Sequence, residues 1–194
     1  MQQPDNKIAV RFLDFSGYFF NLVTASLNES IQQGNKNFIM AKPTDNIAEK
    51  YRAATSWSDF HILIPVLFNF FHGVELWLKG AHYLKNAADC KGGHRLSAWL
   101  DLFKANYPTK TDVATIFSSY IFPSDASSVL GEFYKTNNIK NSDQFYEILK
   151  YPFNKSLSIS FDYKDTRNLG NKGIEFFKQI ISDVNKIRAE TATL

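Results

Sequence analysis

The stretch from His61 to His82 holds three of the chain's four histidines, together with Glu75 and Lys79. At about 100° per residue, His61, His72, Glu75, Lys79 and His82 fall within about 80° of one another around a helix. Leu63, Phe70, Val74, Trp77 and Ala81 lie on the other side. Such a polar stripe invites a metal or an acid–base reading, and equally the plainer reading of a solvated or interface face. His72 and Glu75 stand three apart, a spacing at which two side chains share a ligand. A di-metal carboxylate bundle would need a second Glu-x-x-His on a facing helix, and the sequence has none. His61 and His82 would sit about 31 Å apart along an unbroken helix, so one site cannot use both. No metal and no cofactor is expected.

Two further groups carry polar chemistry. In Gly93-His94-Arg95-Leu96, Gly93 ends one helix and His94 opens the next, where its side chain caps or packs against the helix start and is expected to be neutral. In Asp165-Thr166-Arg167-Asn168-Leu169-Gly170-Asn171-Lys172-Gly173, backbone donors precede a helix start beside two cations. Donors and cations there would attract a phosphate at Arg167, Asn168 and Lys172, or the loop simply caps the last helix. It is not a P-loop, lacking the Gly-Lys-Ser/Thr ending and an upstream β-α-β unit. Nucleophile elbow, dinucleotide fingerprint and kinase motifs are absent from the sequence. Cys90 reads as a free surface thiol.

The 194 residues balance 22 Lys+Arg against 19 Asp+Glu, a net +3, with one cysteine, 44% hydrophobic and 21% charged residues. That composition excludes a disordered chain, a disulfide framework and a thiolate zinc site, and is too weakly basic to announce a nucleic-acid binder. The most apolar window, Ile62 to Leu78, contains Asn69, His72 and Glu75 and falls short of the ~20 residues a membrane span needs. A protein of the reducing cytoplasm, away from membranes, is expected.

Periodicity places these groups on helices. The first should run from an Asp5 cap to Gln33, with Gly34 as its stop and Val10, Leu13, Phe20, Val23, Leu27 and Ile31 on its core face. The second spans about Thr44 to Asn86 with a break or kink near Asp59 to Ile64, caused by Pro65. Gly92 and Gly93 end it. Leu96, Trp99, Leu100, Phe103 and Tyr107 give the third a clean stripe, closed by Pro108. Residues 109 to 150 read as an insertion of short helices, split at Pro123, with a capping box at Asn141 and Gln144. Leu157, Ile159, Phe161 and Tyr163 alternate with polar residues as in a strand, needing a partner such as Phe38 to Ala41 or a second chain. The last helix should run from Asn171 to about Ala189. The architecture is thus all-α: an antiparallel bundle of four to five main helices in a single domain over 1–194, with one extended segment.

Three pieces resemble the HEPN (higher eukaryotes and prokaryotes nucleotide-binding) superfamily. His72-Gly73-Val74-Glu75-Leu76-Trp77-Leu78-Lys79-Gly80-Ala81 looks like its long second helix with a Glu-x-x-x-Lys core, and Gly93-His94-Arg95-Leu96 like the start of the next. Leu149-Lys150-Tyr151-Pro152 resembles the step before the last helix. The resemblance implies a homodimer through terminal helices and RNA- or nucleotide-related roles in toxin–antitoxin or anti-phage systems, beside a cognate antitoxin or nucleotidyltransferase. Active members resemble metal-independent ribonucleases using an Arg, a polar residue and a following His. Arg167 and Asn168 match that opening, but Lys172 stands where the His would fall and no His follows His94. The expected function is therefore a non-catalytic dimer binding RNA, a nucleotide or a partner protein through Arg167, Asn168, Lys172, His94, Lys79 and Glu75. The alternatives are a ribonuclease in which Lys172 or His94 substitutes, and a purely structural interaction module.

Overall fold

The computed structural model describes residues 7–40, 42, 46–86 and 93–194. Asp5, Ala41, Thr44, Cys90 and Gly92, each assigned a place in the sequence analysis, lie outside them. The fold is an all-α bundle of α1 (Lys7–Gln32), α2 (Ile47–Thr55), α3 (Asp59–Lys85), α4 (Leu96–Asn106), α5 (Thr111–Ile121), α6 (Val129–Thr136), α7 (Ser142–Lys150) and α8 (Asn171–Thr191).

Helix α1 ends as its glycine dictates. Gly34 and Asn35 take φ of 76° and 47°, and their amides return to the Ile31 and Ser30 carbonyls at 3.0 and 2.9 Å. On its core face Phe20, Val23 and Leu27 are buried, but Val10 is exposed and Ala9 takes the inward place. Ala9 must be small because α3 approaches there. A Cβ on Gly80 would stand 2.7 Å from Leu13 Cγ and 3.2 Å from the Ala9 carbonyl, and one on Gly73 2.9 Å from the Phe20 ring. As α3 advances from 73 to 80 its α1 neighbours recede from 20 to 9, so the two helices run antiparallel. Helix α8 packs mainly on α1 and runs in the same direction as α3: Gly173 lies against Asp59 and Thr191 accepts from the Trp77 indole at 2.8 Å.

The expected break in the second stretch falls at 56–58, upstream of the place assigned to it. Ser58 is extended, and Pro65 sits inside α3 as its seventh residue. His61 and Pro65 both lie on the exposed side, where the carbonyl that a proline cannot serve costs least. An 18-residue window of 47–85 is apolar enough to cross a membrane, yet 61% of it is buried inside the bundle.

Helices α5 to α7 supply Phe117, Phe133 and Phe145 to the same core as Phe20, Phe70, Trp77 and Phe177. Asn141 caps α7 by accepting from the Gln144 amide at 2.9 Å, while the Gln144 side chain takes the Lys140 amide rather than that of Asn141. The strand expected over Leu157–Tyr163 does not form. The segment folds back on the residues just before it, with a single antiparallel bridge between Phe153 and Ser160. The Asn154 side chain accepts from the Ser158 and Ile159 amides, satisfying the turn locally. Neither Phe38 nor Met40 pairs with it; both are exposed.

Candidate functional site

The three groups singled out in the sequence separate into two places along α3. At its N-terminus Asp59, 1% exposed, accepts from the Asn168 and Leu169 amides at 2.8 and 2.7 Å and from the Asn35 side chain at 2.9 Å. Two of the backbone donors expected to face a phosphate are thus filled by the chain's own carboxylate, and Asn168 takes φ of 57° to present its donor. Lys172 is paired with Glu132 at 2.6 Å on the surface. Arg167 lies over the Phe60 ring, 4.6 Å from its centroid.

The second place centres on Glu75, sixteen residues further and about 24 Å along the axis. Its carboxylate is 1% exposed. Oε1 accepts from Lys79 Nζ at 2.6 Å and meets His94 Nδ1 at 2.9 Å. Oε2 is buried without a hydrogen-bond partner among the described residues, with His72 Nδ1 3.9 Å away. Sequence spacing alone places Glu75 over Lys79, one turn apart. His94 arrives by tertiary structure: Gly93, at φ of 26°, turns the chain, and the Trp99 indole holds the Gly93 carbonyl at 3.3 Å. Of the two roles expected for His94, capping α4 or packing against its start, the first does not hold. Asp143 of α7 takes the Leu96 amide at 3.0 Å, which leaves His94 to turn back onto α3.

His72 bonds the Tyr146 hydroxyl at 2.9 Å through Nδ1. Phe19 packs edge-on against the imidazole at 4.5 Å between centroids, and Phe68 stacks on both His72 and Tyr146. Burial, and then the Glu75 charge, holds the Tyr146 phenol well above its ordinary value, so it stays protonated and donates. The acceptor is a neutral His72, whose proton then sits on Nε2. Lys150 lies over the Tyr146 ring at 4.0 Å, and Lys79 is 5.6 Å from the Trp99 ring centroid.

Burial lowers the His72 pKa, against an opposing pull from Glu75 and with help from Lys79, Lys150 and His94. The unfolded chain therefore binds this proton more readily than the folded one. The stability this adds is whole above the ordinary value of 6.5 and is lost as pH falls through the lower folded value. Urea midpoints should drop on acidification below about pH 6.5, and more shallowly in His72→Phe. Parallel curves for the two proteins would assign the slope elsewhere.

The rest of the stripe disperses. His61 is exposed beside Phe60. His82 is buried under α4, with Nδ1 on the Asn106 amide at 3.1 Å. Among the described residues no three His, Cys, Asp or Glu side chains are placed to hold a metal ion. Tyr146 and Lys150 join the site from α7, more than seventy residues from His72, and nothing in the local sequence marks them. No known family, curated protein or solved structure matches this chain.

Proposed function

We propose that the chain is a HEPN-like, non-catalytic homodimeric domain that binds RNA or a nucleotide, with a ligand phosphate seated over Glu75. The observation that carries this reading is the gathering of Lys79, His94, His72 and Tyr146 around one buried carboxylate beneath an aromatic cover. Glu75 holds Lys79 and His94 in place, so donors are set in position before any ligand arrives. The Nε2–H of His72 and the Lys150 ammonium suit a phosphate oxygen, and the partly exposed Phe68 ring suits a base. The non-catalytic part draws support from the other end of α3. Lys172 is engaged with Glu132, and His94 is about 22 Å along the helix from the Phe60–Arg167 contact, so neither supplies a proton carrier beside Arg167.

Calorimetric titration with a nucleoside 5′-monophosphate tests the reading. The wild type should bind, and His94→Ala and His72→Phe should each weaken binding about tenfold or more. RNA incubated with the protein in EDTA should stay intact. Absence of binding, or equal binding by both variants, rejects the site; cleavage lost in His94→Ala would establish the ribonuclease alternative instead.

The dimer draws support from α1. Ile8, Phe15, Tyr18 and Leu22 are 47–65% exposed and recur at steps of seven, three and four, a seam of coiled-coil spacing on the face away from the core. Light scattering should give twice 22.2 kDa for the wild type and 22.2 kDa for the double variant Phe15→Glu/Tyr18→Glu, with helix content unchanged. A monomeric wild type would remove the dimer from this proposal.

A further inference from the structure

Residues 150–172 carry five cations and two acids, a surplus of three that equals the net charge of the entire chain. Everything outside this segment is electrically balanced. The segment also spans the longest stretch between α-helices in the fold, running from the end of α7 to the start of α8. Its hairpin is internally satisfied: the Asn154 amide donates to the Ile159 carbonyl at 3.0 Å and the Phe161 amide to the Pro152 carbonyl at 3.0 Å. Tyr163 pins it to α7 by donating to the Ile148 carbonyl at 2.9 Å. Despite this order, Tyr151 and Phe153 remain 58% and 44% exposed on the wall of an apolar groove of about 570 Å³.

We propose that this segment is a track for single-stranded polynucleotide, its bases stacking on Tyr151 and Phe153 and its phosphates held by Lys150, Lys155 and Arg167. The inference rests on the reading above and extends it from one nucleotide to a run of them. Lys155 has no ion-pair or hydrogen-bond partner among the described residues, and Arg167 rests on Phe60, near enough to Asp162 for its charge to be felt there but without a salt bridge among the described residues. Exposed aromatic faces beside cations, of which Lys150 also pairs with Glu147 at 4.0 Å, suit a flexible polyanion with unstacked bases, whereas a duplex hides its base faces. Lys150 joins the track to the Glu75 site, because the same side chain lies over the Tyr146 ring. An apolar peptide would fill the groove but would leave Lys155 unmatched.

Fluorescence anisotropy with labelled oligo(U), oligo(dT) and a duplex, each about 12 nucleotides long, tests the track. Both single strands should bind and the duplex should bind more weakly, with affinity falling as salt rises. Tyr151→Ala and Phe153→Ala should each weaken binding about tenfold to a hundredfold, and Lys155→Glu should flatten the salt dependence. Binding of oligo(U) without oligo(dT) would narrow the ligand to RNA. Because both aromatic side chains are exposed, the variants should keep wild-type melting curves, so a lost affinity reads the contact itself. If the aromatic variants bind oligonucleotide like the wild type while His94→Ala does not, the track is wrong and the Glu75 site stands. If nucleoside monophosphate binds and no oligonucleotide does, the track is again wrong. Preference for the duplex would also overturn it.

Discussion

Asp59→Ala is expected to cost the fold about 3–5 kcal/mol, read as a lower urea midpoint at unchanged slope. The side chain is 1% exposed and accepts three hydrogen bonds, from the Asn168 amide, the Leu169 amide and the Asn35 side chain. Deletion leaves those donors without an acceptor, and each stranded buried donor costs about 1–3 kcal/mol. The lower part of that range suits Asn168, whose residue is exposed and whose amide gains water. The loss is large against the ~5–15 kcal/mol that holds a domain of this size. Asp59→Asn keeps one carboxamide oxygen and should lose less. The vacated loop would also become what its sequence suggests, a set of backbone donors without an anion. Acetate or formate at high concentration should therefore restore stability to Asp59→Ala beyond any effect on the wild type. Equal responses in the two proteins would mean that the loop donors find other partners.

This internal carboxylate marks where sequence reading stops. Two glycines, amides and cations before a helix start suggested a phosphate site, but Asp59, 109 residues upstream of Asn168, takes the Asn168 and Leu169 amides itself. Patterns that act within a few residues were legible: the α4 stripe buries Leu96, Trp99, Leu100 and Phe103, and Asn141 caps α7 as its spacing requires. The polar stripe put Glu75 and Lys79 on one side of the helix, where they pair one turn apart. What the sequence could not show is what crosses between elements. Asp143 relieves His94 of capping α4, and Tyr146 fixes His72 from another helix. The alternation at 157–163 misled because Asn154 closes a tight turn with its own side chain, which makes a distant strand partner unnecessary.

The second large effect is expected at Glu75. Its carboxylate is the acceptor for Lys79, whose side chain is only 13% exposed, and for His94. Glu75→Ala leaves that ammonium half-sunk without a counter-charge, and breaking a buried ion pair from one side costs about 3–5 kcal/mol. Glu75→Gln retains an oxygen for one of the two partners and should lose only part of this. A surface pair of the same length, Lys172 with Glu132, has both side chains more than 40% exposed and should give about 0–1 kcal/mol by the same treatment. Its contribution should fade with salt, while that of Glu75 should persist. The double variant Glu75→Gln/Lys79→Met separates the pair from its surroundings: the two losses should fall short of additivity by about 0.5–3 kcal/mol. His94 offers the functional counterpart. Its side chain is 80% exposed and, among the described residues, is hydrogen-bonded to Glu75, so His94→Ala should barely change the melting curve while Glu75→Gln should free the imidazole and weaken ligand binding along with it. If Glu75→Gln loses stability but keeps full affinity for nucleoside monophosphate, the carboxylate is a structural anchor for Lys79 and does not position His94.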